Sequence, residues 1–426
     1  MFLGIDGNRF IANGSPVLLR GFGLGCHLNL EHFMLGIPGT NTEIRDAFDR
    51  IYGADAARRF WETYYRCYVD DADLRFLKSL GINCLRIPIN AREFADGDAF
   101  ESTAAARELD RVVGLCRSRE LYAIIDMHAA SAPQNPDWHS DNSTGDCGFF
   151  RDPIARSRTA ALWKRVAFRY KDEPWVGGYD LLNEPCYFDP SLDETLVDFY
   201  ADSIEGIRSV DDRHLVFVEG NTYARDFTMF DRNLDDRLAY AFHYYPFLQL
   251  PGRLQAPGLR DRLGASLHQD VTLDHLQEKL GRPIWCGETG HPLHGESSIG
   301  ALDLFLEILE EMQISWSLWP HKDARAMGLC YPAQNGSYLP LVTAASSSWC
   351  FWDVFNQDSI LASQSADDRY ALYRALAKNS TEAHRRFEAS LQRISLETIL
   401  DALNDFRLDR CELNEPLVGC LKRRRR

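Results

Sequence analysis

The sequence predicts an α/β protein folded as a (β/α)8 barrel. Eight short apolar runs alternate with amphipathic stretches along most of the chain. No GxGxxG turn follows the first run, as an open dinucleotide-binding sheet would require, and polar residues gather at the C-terminal ends of the runs, where a barrel builds its site.

The runs are PVLLRGF (17–23), INCLRIPI (82–89), YAIIDMH (122–128), GGYDLLNE (177–184), HLVFVEG (214–220), LAYAFHYY (238–245), PIWCGE (283–288) and ISWSLW (314–319). Each is short and apolar on both faces, the pattern of parallel strands buried between helices and a barrel interior. Between them, Asp71 can cap a helix DADLRFLKSL that Gly81 ends, and ELDRVVGLCRSRE (108–120) carries a helical apolar stripe. Further helices are predicted near 156–170, 192–209, 268–280 and 300–312.

Several segments lie outside the repeat. MFLGIDGNRFIANGSP, with an Asp6-Gly7 turn between apolar pairs, reads as a β-hairpin that closes the barrel bottom. The aromatic-rich stretch 24–69 follows the first strand and should lie over the C-terminal face. After the eighth strand comes a Ser-, Ala- and Gln-rich connection (324–365) with a cluster from Trp349 to Trp352. Residues 366–421 read as helical throughout, giving the last barrel helix and then an extension. The expected division is a catalytic domain over 1–390, including the N-terminal hairpin, and a helical C-terminal extension over 391–426 that ends in the basic run Lys422 to Arg426. That run reads as a frayed, solvated terminus.

A formal charge of -15 disfavours a broad attraction to nucleic-acid phosphate or anionic lipid and suits a neutral partner. The start of the sequence has no basic stretch leading into an apolar one, and no apolar run approaches the roughly 20 residues of a membrane span. The eleven cysteines contain no CxxC pair, which suits reduced thiols better than a disulfide framework or a zinc site. A soluble, cytoplasmic protein is therefore expected.

Chemistry is carried by two glutamates at strand ends, Glu184 and Glu288. A pair of carboxylates facing one another is what glycoside hydrolysis uses, one protonated to assist the leaving oxygen and one ionised to attack the anomeric carbon. A single strand-end glutamate is as often a salt-bridge partner, so the pairing carries the argument. Asn183 precedes Glu184, where its amide could hold a sugar 2-hydroxyl. Arg86, placed at the end of the second strand, could keep Glu288 ionised. His128 ends the third strand, and His243 with Tyr245 ends the sixth. A lone histidine is ordinarily a hydrogen-bonded core residue, but three polar rings offered to one mouth from two strand ends favour a site. His128, His139 and Asp126 raise the alternative of a metal site, although their spacing matches no common ligand motif. Trp319 can offer a flat face to a sugar ring, while Trp316, nearer the strand's middle, reads as packing. The loop QNPDWHSDN (134–142) supplies Trp138 as a further platform.

Together and in order, LRIPIN, DMHAA, LLNEP, HYY, GETG and SWSLW resemble glycoside hydrolase family 5, the cellulase family of clan A, over about residues 10–322. The resemblance implies a (β/α)8 barrel, retention of anomeric configuration and no cofactor or metal. It implies Glu184 as acid/base and Glu288 as nucleophile, with Arg86, His128, Asn183, His243 and Tyr245 in support and Trp319 as the sugar platform. The opening LLRGFGLGCHLNLEHFM is similar to the branch containing exo-β-1,3-glucanases, but Cys26-His27 stands where those enzymes carry glycine and tryptophan, a departure placed at a sugar subsite. The function expected is a retaining β-glycosidase acting on β-linked glucosides or β-glucan oligosaccharides. The rivals are an endo-β-1,4-glucanase, a β-mannanase, a glycosidase of glycolipid headgroups and, from another class, a carbohydrate-binding barrel without turnover.

Overall fold

Each of the eight apolar runs contributes one strand. In the computed structural model, which describes residues 2–94, 97–293, 299–346 and 365–425, these are β4 (Arg20–Gly23), β5 (Cys84–Asn90), β6 (Tyr122–Ala129), β7 (Val176–Asp180), β8 (Leu215–Glu219), β9 (Leu238–His243), β10 (Ile284–Thr289) and β11 (Ser315–Leu318). All eight pair in parallel and close into a barrel in the order β10-β11-β4-β5-β6-β7-β8-β9. Nearly every residue in them is buried, because helices cover the outer face and side chains fill the interior.

At the N-terminus the expected hairpin, β1 (Gly4–Asp6) and β2 (Arg9–Ala12), gains a third short strand, β3 (Ser15–Pro16). Its Phe10 stacks on Phe217 at 5.9 Å and packs with Leu3, Tyr122, Leu215 and Trp285 at the end where the strands begin. The barrel bottom is thereby plugged. Of the helices, Asp71–Ser79 is capped by Asp70 rather than Asp71, since the Asp70 side chain accepts from the backbone of Ala72 and Asp73. The helix expected near 268–280 is two pieces, Leu259–Asp270 and a π-helical turn His275–Leu280, separated at Thr272, whose φ is +46°.

The segment after β4 folds into helices His32–Leu35, Asn41–Tyr52 and Ala54–Tyr68, and its Glu31 reaches His128 at the C-terminal mouth. Cys26 and His27, expected at a subsite, are fully buried instead. His27 Nε2 lies 2.8 Å from Glu108 and its ring packs on Tyr65 and Tyr68, so the departure from the glucanase branch lies in the core.

Residues 366–421 are not helical throughout. Helices Ala366–Leu391 and Leu396–Ala402 are followed by 3-10 turns, and then Cys411–Leu413 (β13) pairs antiparallel with Cys330–Pro332 (β12). The last helix, Glu415–Arg424, lies between Ile299–Glu311 and Asp71–Ser79. Arg424 is ion-paired to Asp303 and Glu310, and Arg425 donates to the Ser79 carbonyl at 3.0 Å. The basic tail is thus a packed element rather than a frayed one. Its arginines face acids on the seventh barrel helix, which closes the helical ring. The Trp349 to Trp352 cluster lies outside the described residues. No helix among the described residues is long and apolar enough to cross a membrane.

Candidate active site

Arg86 is the hub of the barrel mouth. It sits in the interior of β5, not at its end, with no exposed surface. Its guanidinium donates to Asp180 (3.0 Å), Asn183 Oδ1 (2.8 Å) and Glu219 (3.2 Å), pairs with Asp126 (3.0 Å) and donates to Glu288. One cation holding four carboxylates explains its buried position. Burial alone would weaken its charge, but Asp126, Glu288, Asp180 and Glu219 hold its proton well above the ordinary arginine range.

Glu288 is delivered by a bulge in β10. Pairing with β9 shifts register between Cys286 and Glu288, which re-aims the side chain. Gly287 allows this, since a Cβ there would lie 3.0 Å from His243 Nε2. Besides Arg86, Glu288 accepts from the Tyr245 hydroxyl at 2.8 Å.

Glu184 lies four residues beyond β7 rather than on it, in the left-handed region at φ +48°. Its N–H donates to Glu219 Oε2 at 2.6 Å, and the Asn183 N–H before it donates to the Met127 carbonyl. A non-glycine residue in that conformation is held by its surroundings. The Glu184 carboxylate meets two imidazoles, His243 Nδ1 at 2.8 Å and His139 Nε2 at 3.1 Å. One oxygen each of Glu184 and Glu288 and one nitrogen of His243 all lie within 4.8 Å of one another.

His128 is fixed by Asp126 (2.8 Å) and Glu31 (3.3 Å), and these raise it to about 10 against the lowering effect of burial. Its ring stacks on Trp319 at 5.2 Å and 11°. Behind Trp319, Gly25 leaves space for the indole, because a Cβ there would come within 2.6 Å of it, and Gly23 is placed likewise. Trp316 is fully buried and donates to Glu310, outside the barrel. Trp138 lines the mouth and stacks on His32 at 4.2 Å.

Glu184, Glu288, His128, His243, Tyr245, Trp319 and Trp138, together with Glu31, His139 and Tyr223, line one cavity of about 70 Å³. Arg86 and Asn183 lie beneath it. Asn183 gives its Oδ1 to Arg86, and its Nδ2 has no hydrogen-bond partner among the described residues. Asp126, His128 and His139 do not converge as a metal site would, since His139 turns its Nε2 to Glu184. Sequence reasoning missed Glu31, Glu219, Asp126 and Asp180 as supports and His139 as the neighbour of Glu184. The last three acids were signalled by single carboxylates inside otherwise apolar strand runs.

Electrostatics order the two carboxyls. Burial raises Glu184, but the hydrogen bonds and charges of His139 and His243 outweigh it and hold the group well below the usual range. Burial raises Glu288 beyond the pull of His243 and Arg86, and the nearby Glu184 charge adds to the rise. The two histidines thus pull the Glu184 carboxyl down while burial and the Glu184 charge push Glu288 up. This is the reverse of the order that a general acid and a nucleophile require.

A closed parallel barrel with two carboxylates converging at its C-terminal mouth defines a barrel glycosidase. The model of Cellulase (glycosyl hydrolase family 5) matches residues 38–325, and the chain belongs to that family and is a glycoside hydrolase. It is similar to a beta-xylosidase of Phanerodontia chrysosporium, 32% identical over 80% of this chain and 75% of the relative. It is also similar to a glucan 1,3-beta-glucosidase of Candida oleophila, 30% identical over 45% of this chain and 48% of the relative. The endoglucanase Cel5A of Thermotoga maritima, 18% identical, superposes with a TM-score of 0.51 over 73% of this chain and 91% of its own, which establishes the shared fold.

Proposed function

We propose that this enzyme hydrolyses β-linked glucosides and short β-glucan oligosaccharides with retention of configuration, Glu288 attacking the anomeric carbon and Glu184 acting first as acid and then as base. The separation of the two carboxylates carries the reading. Oxygens within 4.8 Å of one another suit the roughly 5 to 5.5 Å spacing of retaining enzymes and leave no room for the water that inverting enzymes place between sugar and base.

In the first step the bond from the anomeric carbon to the leaving oxygen breaks as a bond to Glu288 forms, and Glu184 gives its proton to the departing oxygen. In the second, water attacks the glycosyl ester, Glu184 takes its proton, and Glu288 is released. Arg86 and Tyr245 hold Glu288 in line and stabilise it as a leaving carboxylate. Asn183 Nδ2 is available to a sugar hydroxyl, and Trp319, backed by His128, offers the floor for the ring. Trp138 and Tyr223 wall the cavity on the side covered by helix Ala366–Leu391, which favours short chains as substrates. A second reading, cleavage of β-xylosides, is favoured by the similarity to the 32%-identical beta-xylosidase. The ten cysteines among the described residues are all free, which supports a reducing, cytoplasmic setting.

The test follows product stereochemistry and rescue. The first-formed sugar should be the β-anomer by early-time NMR. Glu184→Ala should keep activity on aryl glycosides with good leaving groups and yield the β-glycosyl azide when azide is added, while Glu288→Ala should do neither. An α-anomer formed first would remove Glu288 as nucleophile, and an α-azide from Glu184→Ala would exchange the two roles. Parallel assays on aryl β-glucosides and β-xylosides separate the two substrate readings.

A further inference from the structure

We propose that His139 is a positioning residue that shares one proton with Glu184, with Asn135 tipping that proton toward Glu184 so that the acid is ready to donate. The inference rests on the reading of Glu184 as acid/base.

The two imidazoles at Glu184 are not equivalent. His243 has a carboxylate at each nitrogen, Glu184 at Nδ1 (2.8 Å) and Glu219 at Nε2 (3.3 Å), an arrangement that favours a proton on both. His139 Nε2, 3.1 Å from Glu184 Oε2, also lies 2.8 Å from Asn135 Nδ2. That amide is held the way it stands. Its Oδ1 accepts from the Asp137 N–H and its Nδ2 donates to the Glu184 carbonyl, both at 3.0 Å. An amide N–H aimed at Nε2 repels a proton there and favours a lone pair. When Nε2 carries its lone pair, the contact with Glu184 Oε2 is a hydrogen bond only if the carboxyl carries the proton.

Two arrangements thus compete: imidazolium with carboxylate, and imidazole with carboxylic acid. They differ by one proton passing along a single contact, the N–H bond of Nε2 breaking as the O–H bond of Glu184 forms. Once Glu184 has given that proton to the leaving oxygen, the attacking water restores one to Glu184, and the pair returns to its starting state. Loss of the shared proton from the pair requires a pH above the range where a lone carboxyl beside charged His243 would lose it, because imidazole binds a proton more tightly than carboxylate.

The other ionisable groups around the pair include Glu31, His32, Arg86, His128, Asp137, Glu219, Tyr223, Arg225, Tyr245 and Glu288, contributed by the surrounding strands and loops and by the short helix His32–Leu35. Neighbouring carboxylates raise His128 to about 10 and hold His243 well above the ordinary imidazole range. Asp137, raised to about 7 by burial, titrates near neutral pH, so Asp137→Asn is carried as a control.

The experiment measures kcat/KM against pH for the wild type, His139→Gln and His139→Ala, with one aryl glucoside of poor and one of good leaving ability. Glutamine can reach Glu184 with an N–H but cannot exchange a proton, so both variants should behave alike. Their alkaline limb should move down by about one pH unit. Cleavage of the poor leaving group at neutral pH should fall on the order of tenfold to a hundredfold, while the good one is nearly unchanged. A folded His139→Gln enzyme with the wild-type alkaline limb would overturn the proposal, because a hydrogen bond alone would then suffice. If His139→Ala fails to fold, His139→Gln decides. Azide rescue of Glu184→Ala separates the two levels. Without rescue the acid/base reading falls, and with rescue but an unmoved limb only the shared proton falls.

Discussion

Glu288 and Glu184 face the same cavity but are held by different kinds of structure. Glu288 belongs to β10, and its partners Arg86 and Tyr245 come from β5 and from just beyond β9. Glu184 stands on a loop in a left-handed conformation, and its partner His139 comes from the loop 134–142. That loop leans in turn on helix Ala366–Leu391, where the Tyr373 hydroxyl lies 2.6 Å from that of Tyr223, which donates to Asp137 at 3.0 Å. Closing the barrel is enough to assemble the Glu288 side. The Glu184 side needs additions that lie far apart in the chain, so the two sides should fail in different ways.

The largest failure is expected on the barrel side. Arg86→Lys keeps a cation but loses the planar fork that reaches Glu288, Asn183, Asp180 and Glu219 together. kcat/KM should fall on the order of a thousandfold or more, about 4 kcal/mol, with kcat carrying most of it because Glu288 is no longer aligned. Steady-state kinetics on an aryl glucoside decide this. A lysine enzyme within tenfold of wild type would mean that point charge, not geometry, is what Arg86 supplies.

On the loop side the expected failure is in stability. Asp137 is buried, and burial together with the Glu184 and Glu31 charges raises it to about 7, against the lowering influence of His139 and Tyr223. Below about pH 4 the folded and unfolded chains both hold this proton. Between about 4 and 7 the unfolded chain has released it and the folded chain has not, so the contribution to stability falls through that window and levels off above it. A rise of about three pH units corresponds to a few kcal/mol, at most about 4. Asp137→Asn should therefore be more stable than the wild type at pH 8 and close to it at pH 4, as urea unfolding at the two pH values would show. An advantage that is the same at both would sink the assignment.

Trp319 and Trp316 sharpen the contrast within one strand end. Trp319→Ala should cut kcat/KM on the order of a hundredfold, about 3 kcal/mol, with kcat affected as well as KM, because stacking strengthens as the ring flattens toward the transition state. Trp316→Ala should mostly cost stability, about 3 to 5 kcal/mol, since its indole is buried against the helices outside the barrel. Kinetics and thermal melts of both variants test this, and the opposite pattern would reverse the two roles.

The same division separates what could be read from the sequence from what could not. The strands were legible because parallel strands buried on both faces are written as apolar runs, and Glu288, His243 and Tyr245 stand at or near the ends of such runs. Arg86 was identified but placed too late in its strand, because LRIPIN continues the ladder through Pro88 to Asn90. Asp126, Asp180 and Glu219 had a signal that went unused, since a lone acid inside an apolar strand needs a buried cation, and Arg86 is that cation. His139, Asp137 and Tyr373 had no comparable signal. Loops lack a repeating period, and Tyr373 meets Tyr223 across 150 residues of chain. The packed basic tail was misread for the same reason, because Asp303, which holds Arg424, lies 121 residues before it.

The smallest expected effect tests whether helix Ala366–Leu391 matters to the Glu184 side at all. Tyr373 is buried and, with Trp138 and Asp137, borders a second cavity of about 220 Å³ behind the mouth. Tyr373→Phe removes one hydroxyl while keeping the ring that packs on Phe188. The loss to stability should be about 1 kcal/mol, one buried hydrogen bond. Tyr223 keeps Asp137 as an acceptor, so the wall should loosen rather than collapse, and Arg86, Tyr245 and Glu288 should not move. KM should therefore rise by about two- to fivefold while kcat stays within about twofold, because the wall positions substrate and the barrel performs the attack. Kinetics with a short oligosaccharide, whose leaving portion extends past Trp138, should show a larger rise than an aryl glucoside. Equal effects on both substrates, or a fall in kcat with KM unchanged, would mean that the helix acts on Glu184 directly and that the two sides of the site are not separable in this way.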